Sequence, residues 1–292
     1  MAISTGTLQM QRLHPRFGVE IGGVDLRQPL DDGTWARIWE AFNDHSLLIF
    51  HGQPLTDDEQ MRFSLRFGPL ETTIKTLGKE DRLHPNLVEL ANVDEDGRLM
   101  DWSDRRMLYQ SGNQLWHSDS SFKPVPAQAS LLSGRQVPPE GGETEFVSCR
   151  VAWEALSPEM QRRLEGKIAI HSFAYSRGLI DPTLLGQEVK DALPPVRQAL
   201  VRANPVNGWK TIYIGSHASH IEGMPVEEGR ALLQELLARA TRSECVHRHT
   251  WRQHDLVVWD NRCILHRGRP WDARQHTRVM HRTTVAGDGP TA

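Results

Sequence analysis

The sequence predicts a mostly β protein, a β-sandwich or jelly roll decorated by helices. Three observations support this fold class: short strand-like runs dominate the second half of the 292 residues, helical patterns are confined to a few stretches, and strands do not alternate with helices as in βαβ units. Neither a GxGxxG nor a P-loop motif occurs. Because no repeat, linker or low-complexity tract divides the chain, we expect one domain over residues 1–292.

The helices are predicted from their start and stop signals. Residues 31–34 (DDGT) open the first helix, in which apolar residues recur at helical spacing. Thr56 is expected to cap the second, which has three carboxylates in its first turn, and Gly68 to end it. Pro158 suits the first position of a third helix. Residues 225–242 form the clearest helix, with one apolar stripe of leucines.

The strands are predicted from short apolar or β-branched runs. These runs cover residues 46–50, 129–137, 210–215, 247–251, 255–260 and 278–285. Because these short strands dominate the second half of the chain and do not alternate regularly with helices, they favour a sandwich or jelly roll over a doubly wound sheet.

Charge and hydropathy exclude several classes of partner. Lys and Arg number 34 against 37 for Asp and Glu, a net charge of −3, so nucleic acid is not an expected partner. Apolar runs such as residues 47–50 are far shorter than the roughly 20 residues that span a bilayer, and the N-terminus lacks a signal-peptide pattern. The three scattered cysteines suit neither a disulfide framework nor a thiolate metal site, so we expect a cytoplasmic protein without a membrane partner.

A candidate metal site comes from the segment GNQLWHSDSSF, residues 112–122. In an extended strand, residues i and i+2 point to one face, so His117 and Asp119 would aim an imidazole and a carboxylate into one space. His266 is the candidate third ligand. Two histidines and one carboxylate on one face of an octahedral metal leave three positions open, as in non-haem Fe(II) oxygenases. Alone, the HxD pair could arise by chance and His266 could be a loop histidine.

A candidate anion site accompanies these residues. Arg278 and Arg282 are four residues apart on a predicted strand, and a buried guanidinium can bind a carboxylate through two parallel hydrogen bonds. Thr144 follows a tight glycine turn and supplies a hydroxyl. Together they could hold one end of a dicarboxylate whose other end chelates the metal. The alternatives are a surface strand with solvated charges, or Arg274 in place of Arg278.

The fourteen histidines include a cluster at 247, 249 and 254 on a predicted strand and turn. Their spacing could mimic a second metal site, but no carboxylate completes it, so we expect these histidines to be solvated. Trp259, which leads into the segment of His266, is predicted to be core.

Over nearly its full length, the chain resembles the Fe(II)/2-oxoglutarate-dependent dioxygenases of the taurine dioxygenase family. The segments that carry this resemblance are IGGVDLRQPL, LLIFHGQPLT, FGPLE, WHSDSSF, VPPEGGETEF, WDNRCILHRG and the final RTT. The segments GNQLWHSDSSF and GSHASHIEG are most similar to the 2,4-dichlorophenoxyacetate branch of the family. The resemblance implies a double-stranded β-helix (jelly roll) that uses Fe(II), 2-oxoglutarate and O₂.

The resemblance also assigns residues to roles. The metal ligands are His117, Asp119 and His266. Thr144 and Arg278 are expected to hold 2-oxoglutarate, and Arg282 the anionic head of the substrate. Further candidates for contacting the substrate are Asn113, His217 and, in the variable loop of residues 71–82, Ile74.

The expected reaction is hydroxylation of the carbon next to the ether oxygen of an aryloxyalkanoate. The hemiacetal product would collapse to a phenol and an oxo acid, with succinate and CO₂ from 2-oxoglutarate. The expected binding partner is therefore a small anionic substrate. We also expect the chain to form a homo-oligomer. Two alternatives remain: an alkylsulfonate or sulfate-ester dioxygenase of the same family, because Arg282 suits those anions too, and a non-catalytic jelly-roll protein that binds a metal or ligand.

Overall fold

The computed structural model describes residues 8–72, 83–101 and 104–292. In these residues the strands are β1 (Gln9–Arg12), β2 (Val19–Gly22), β3 (Leu47–Phe50), β4 (Leu87–Ala91), β5 (Ala129–Gln136), β6 (Thr144–Ser148), β7 (Ile168–His171), β8 (Val196–Ala199), β9 (Val201–Ala203), β10 (Lys210–Ile212), β11 (Ala218–Ile221), β12 (His247–His249), β13 (Leu256–Asp260), β14 (Ile264–Gly268) and β15 (Val279–Val285). The helices are α1 (Asp32–His45), α2 (Asp57–Ser64), α3 (Arg105–Ser111), α4 (Cys149–Glu154), α5 (Pro158–Leu164), α6 (Phe173–Gly178), α7 (Gln187–Ala192) and α8 (Val226–Ala240).

The strands of the described residues form one seven-stranded sheet and three smaller sheets. The large sheet has the order β1-β2-β3-β13-β5-β15-β4, in which all neighbours are antiparallel except β2 and β3. The small sheets have the orders β12-β6-β14, β11-β7-β8 and β10-β9. Strands distant in sequence lie side by side, as where β13 pairs with both β3 and β5. This non-sequential order confirms the predicted jelly roll with flanking helices.

The core between the large sheet and the β12-β6-β14 sheet positions the site. Leu132 and Met280 enter this core from the large sheet, and Phe146 and Ile264 enter it from the small one. Trp259 is fully buried in the same cluster, as its predicted core role requires. Each such side chain contributes roughly 1.5–3 kcal/mol on burial, so the two sheets are held firmly against each other.

The outer face of the large sheet packs against α1 and α2. Because successive strand residues point to opposite faces, Leu131 of β5 joins the outer cluster while Leu132 joins the inner one. Ile38 and Phe42 of α1 and Phe63 of α2 complete the outer cluster. The leucine stripe of α8 packs separately, against β7 and β11.

Helix boundaries follow the capping residues closely. The side chain of Asp31 caps α1 by accepting a hydrogen bond from the amide N of Thr34 at 2.8 Å. Thr56 and Glu59 form a reciprocal capping box at the start of α2. Pro158 is the first residue of α5, as predicted.

The predicted ends of one helix and two strands are wrong by a few residues. The second helix ends at Ser64, before Gly68, because the next residues form a turn. The strands predicted over 210–215 and 247–251 stop at Ile212 and His249. Across the described residues, no helix combines the length and apolarity needed to cross a bilayer.

Candidate active site

His117, Asp119 and His266 meet at one point. His117 and His266 are joined by two backbone hydrogen bonds of 3.0 and 2.9 Å, which place their side chains next to each other. Nε2 of His117 lies 3.8 Å from Oδ1 of Asp119, and Nε2 of His266 lies 3.8 Å from Oδ2. One donor atom from each residue lies within 4.8 Å of the others, and all three residues are buried.

The segment carrying His117 and Asp119 is not the regular strand that the sequence predicts. His117 forms an isolated bridge, and a turn begins at Asp119, with Ser120 at φ +55°. Asn261 anchors this turn, because its Oδ1 accepts a hydrogen bond from the amide N of Asp119 at 3.1 Å. The two side chains nevertheless point into one space. The i, i+2 spacing therefore predicts their common direction correctly, although the segment is not a strand.

The protonation states suit a divalent metal. Nδ1 of His117 lies 2.7 Å from the carbonyl oxygen of Leu115, so Nδ1 carries the proton and Nε2 presents its lone pair to the other donors. Burial lowers the pKa of His117 and of His266, which keeps both imidazoles neutral. Two neutral imidazoles and a carboxylate are the donor set that Fe(II) oxygenases use, so the residues fit the metal that the sequence predicts.

Asp119 stays ionised although it is buried. Burial alone would raise the pKa of this carboxyl, but the charge of Arg282 and a hydrogen bond from Ser130 hold it well below its usual range. Nη1 of Arg282 donates to Oδ1 at 2.6 Å, and Oγ of Ser130 donates to Oδ2 at 2.7 Å. The sequence reasoning missed both contacts, since neither partner lies near Asp119 in the chain.

A cavity opens beside these residues and brings most of the predicted site together. Both histidines line it, with Asn113, Thr144, Arg278 and Arg282. Apolar side chains supply much of the remaining wall: Leu90, Met107, Leu132, Trp259, Pro270, Trp271 and Ala273. A mostly apolar pocket with a few convergent polar groups is typical of a small-molecule site.

Thr144 and Arg278 lie close together in this cavity. Thr144 opens β6 after Gly141 and Gly142, whose φ angles of +76° and +68° form the tight turn that the sequence predicts. Its hydroxyl accepts a hydrogen bond from Nε1 of Trp251 at 3.0 Å. Arg278 is 9% exposed, and its Nε has no hydrogen-bond partner among the described residues. A buried guanidinium with a free Nε, facing a cavity, suits a bound anion.

The structure separates Arg278 from its alternative, Arg274. Arg274 is exposed, whereas Arg278 lines the cavity just before β15. A β-bulge between Val279 and Met280 shifts the register of β15 against β5. Arg278, just before the strand, and Arg282, within it, line the same cavity.

The remaining substrate candidates differ in their placement. Asn113 lines the cavity from a single 3-10 turn. His217 is buried behind the wall, with its ring centroid 6.2 Å from that of His117 and its Nδ1 without a partner in the described chain. Ile74, with most of the loop 71–82, lies outside the described residues.

The prediction that the histidines at 247–254 are solvated is wrong for His249. This residue is 5% exposed, and its Nε2 lies 3.1 Å from Oδ2 of buried Asp255. Nδ1 of His51 lies 2.6 Å from the other oxygen of the same carboxylate. The pairing of β13 with β3 brings His51 to Asp255, a juxtaposition that the sequence alone does not reveal.

The comparisons with known proteins agree with this geometry. Residues 9–284 match the family described as "Taurine catabolism dioxygenase TauD, TfdA family". The chain is 43% identical to the alpha-ketoglutarate-dependent 2,4-dichlorophenoxyacetate dioxygenase of Cupriavidus pinatubonensis, over 94% of this chain and 96% of the relative. It is 36% identical to the (S)-phenoxypropionate/alpha-ketoglutarate-dioxygenase of Sphingobium herbicidovorans, over 94% of each.

A solved structure shares the fold over almost its whole length. The crystal structure of AAD-2 in complex with Mn(II) and N-oxalylglycine superposes with a TM-score of 0.90 at 42% identity, covering 98% of this chain and 99% of that one. The jelly roll, the triad of donor atoms and the extent of these matches lead to one conclusion. The chain belongs to the TauD/TfdA family of dioxygenases.

Proposed function

We propose that this chain is an Fe(II)- and 2-oxoglutarate-dependent dioxygenase acting on aryloxyalkanoates such as 2,4-dichlorophenoxyacetate. It hydroxylates the carbon next to the ether oxygen, and the hemiacetal collapses to a phenol and an oxo acid, with succinate and CO₂ as coproducts. The observation that carries the proposal is the triad of donor atoms from His117, Asp119 and His266 beside a cavity that Thr144 and Arg278 line. The names of the relatives above support the substrate class.

His117, Asp119 and His266 are the residues that would hold Fe(II). With 2-oxoglutarate and O₂, the bound iron would supply the oxidation of a substrate C–H bond. The protein supplies neutral imidazoles, an ionised carboxylate and a mostly apolar pocket, and it orients Asp119 through Ser130 and Arg282. Outer contacts of this kind tune metal affinity, since they fix the ligand's direction.

Thr144 and Arg278 would bind the carboxylate of 2-oxoglutarate that lies far from the metal. Arg278 lines the cavity and its buried Nε has no hydrogen-bond partner among the described residues, and the Thr144 hydroxyl can donate while accepting from Trp251. Trp271 lies beside the guanidinium, 5.3 Å from ring centroid to Cζ, and keeps it in place. A protein that only bound a metal would not need this pair, which argues against the non-catalytic alternative.

Arg282 would contact the anionic head of the substrate with the nitrogens that Asp119 leaves free. Asn113, on the cavity wall, would hydrogen-bond the same end of the molecule, and His217, which is buried next to His117, would also contact the substrate. The substrate role of Ile74 stays a prediction. Holding the substrate at its head decides which C–H bond is presented for oxidation.

The test is anaerobic binding of Fe(II) and 2-oxoglutarate, followed by succinate release in air with a panel of anions. The panel contains aryloxyacetates, aryloxypropionates, alkylsulfonates and sulfate esters. The proposal requires aryloxyalkanoates to give the highest kcat/KM. If alkylsulfonates or sulfate esters are turned over faster, the alternative substrate class is correct, and if nothing releases succinate above background, the enzyme assignment fails.

We also propose that residues 1–292 act as one domain, in a cytoplasmic homo-oligomer that binds neither nucleic acid nor membrane. The single-domain proposal is supported by a site that draws residues from positions 113 to 282. Three free cysteines support the cytoplasmic location, and the net charge of −3 supports the absence of a nucleic-acid partner. Analytical ultracentrifugation would measure the oligomeric state, and a monomer at micromolar concentration would contradict it.

A further inference from the structure

Arg177 is a buried guanidinium that the proposed function does not use. It lies in α6, is 7% exposed, and its Nε has no hydrogen-bond partner within the described chain. Its Cζ lies 4.9 Å from the ring centroid of Tyr109 and 4.9 Å from that of Phe173. Cation–π contacts of this kind offset only part of the cost of burying a charge, so the site favours a bound anion.

The guanidinium of Arg177 contacts the backbone of Gly112 at the edge of the cavity. A side chain at Gly112 would overlap Nη1 of Arg177, so only glycine allows this approach. The next residue, Asn113, lines the cavity beside the metal-binding histidines. Arg177 therefore lies directly behind a residue already expected to contact the substrate.

A series of ring contacts connects the aromatic residues around Arg177 to the candidate metal centre. Phe173 lies 4.5 Å from Phe122, and Phe122 lies 4.9 Å from His217, as ring centroids. His217 in turn lies 6.2 Å from His117.

The charges around the cavity leave a positive excess. Arg269, Arg278 and Arg282 line the cavity, and Arg177 lies behind it. Two carboxylates oppose these four guanidiniums: Asp119 accepts a hydrogen bond from Arg282, and Glu145 lies 3.9 Å from Arg269. A divalent metal and dianionic 2-oxoglutarate add no net charge when both are bound. An anionic substrate would therefore neutralise part of the excess, whereas a neutral one would not.

We propose that Arg177 binds the anionic head of the substrate and selects an anionic ether over a neutral one. Because Arg282 is hydrogen-bonded to Asp119, it can offer the head group only its remaining nitrogens, and Arg177 supplies the second cation. This inference rests on the proposed function, since it names the residue that sets the charge preference of that same site.

The test compares phenoxyacetate with its neutral analogue phenoxyacetamide. Equilibrium dialysis measures the Kd of each for the protein loaded with Mn²⁺ and 2-oxoglutarate. We expect Arg177→Met to raise the Kd of phenoxyacetate at least about tenfold, as loss of one charge-assisted hydrogen bond would, and to leave the Kd of the amide within about twofold. Under turnover with Fe(II), the KM for phenoxyacetate should rise while the KM for 2-oxoglutarate stays within about twofold.

The matched control is Arg202→Met. Arg202 also stacks on an aromatic ring, 4.7 Å from Cζ to the centroid of Tyr213, and its Nη1 is buried without a partner in the described part of the chain. Because it lines a different cavity, its loss should leave the preference for phenoxyacetate over the amide unchanged. If Arg177→Met does not fold, the same Kd values are measured for Arg177→Gln, a second neutral variant.

Two results would overturn the inference. Equal weakening of phenoxyacetate and amide would mean that Arg177 only supports packing, and unchanged affinity for both would mean that the guanidinium does not reach the substrate. A wild-type protein that binds no phenoxyacetate would instead overturn the proposed function, and this inference with it.

Discussion

At the residue scale, the proposed metal site consists of one donor atom from each of His117, Asp119 and His266. Loss of a hydrogen bond to a metal ligand typically lowers metal affinity by about 10–100-fold, so loss of the ligand itself should lower the affinity further. We expect alanine at any of the three positions to weaken Mn²⁺ binding at least about 100-fold in equilibrium dialysis and to abolish Fe(II)-dependent turnover, while the protein remains folded. His220→Ala, outside the triad, is the control and should bind Mn²⁺ normally; full activity of any triad variant at low iron contradicts the site.

A second residue-scale prediction separates two arginines. Arg278→Ala should raise the KM for 2-oxoglutarate at least about tenfold, because it removes a charge-assisted contact worth about 1.4 kcal/mol or more. Arg278→Lys should restore only part of the affinity, since an ammonium group cannot form two parallel hydrogen bonds. Arg274→Ala is the matched control. If the defect appears in Arg274→Ala instead, the placement of the 2-oxoglutarate site is wrong.

At the element scale, the glycine turn before β6 shapes the pocket around Arg278. A Cβ at Gly142 would lie 3.2 Å from Nε of Arg278, whereas a Cβ at Gly52 would meet nothing within 4 Å, and both glycines have positive φ. Alanine at either position should cost about 1–2 kcal/mol of stability through the backbone alone. Only Gly142→Ala should also raise the KM for 2-oxoglutarate, by about tenfold, because it displaces the guanidinium. Equal KM values in the two variants would show that the turn does not position Arg278.

Glu145 ties the β12-β6-β14 sheet together. It is 2% exposed, and it accepts hydrogen bonds from Arg248 and Arg267 at 2.8 Å each, one from either neighbouring strand. Burial raises the pKa of Glu145, but these arginines outweigh it and lower the pKa below its ordinary value. The carboxylate therefore contributes stability above the unfolded pKa of about 4.3, and the contribution is lost as pH falls through the lower folded pKa.

This linkage gives a prediction for Glu145→Gln. At pH 7 the variant should lose about 1–3 kcal/mol of unfolding free energy, measured by urea denaturation, because buried hydrogen bonds to a charged group are weakened. The difference in unfolding free energy between the variant and the wild type should become smaller as the pH is lowered below about 4. Glu235→Gln, which breaks an exposed pair with Arg239, should change stability by less than about 0.5 kcal/mol. A difference that does not depend on pH would contradict the ionised state of Glu145.

The sequence was sufficient where the signal is local. Helix starts follow Asp31 and Thr56 because capping is a contact across three residues, and the triad follows from an i, i+2 pair and one further histidine. The contact of Arg282 with Asp119 could not be predicted, because it depends on the register in which β15 pairs with β5. Arg177 carries no motif at all, since its position depends on the packing of α6 against Gly112.

At the scale of the whole molecule, the jelly roll brings distant segments to one cavity. The large sheet contributes Arg282 through β15, and the small sheet contributes Thr144 and His266 through β6 and β14. The inner core, with Trp259 packed 4.5 Å from the His266 ring, holds these two sheets together. The site is therefore a property of the assembled sandwich, and no single segment could form it.

We propose that this assembly couples 2-oxoglutarate decarboxylation to cleavage of an aryl ether. The most direct measurement quantifies succinate and phenol in the same reaction, with Fe(II), 2-oxoglutarate, O₂ and 2,4-dichlorophenoxyacetate. We predict one 2,4-dichlorophenol released per succinate, with both products falling to background in Asp119→Ala. Succinate formed without phenol, or no succinate at all, would contradict the claim.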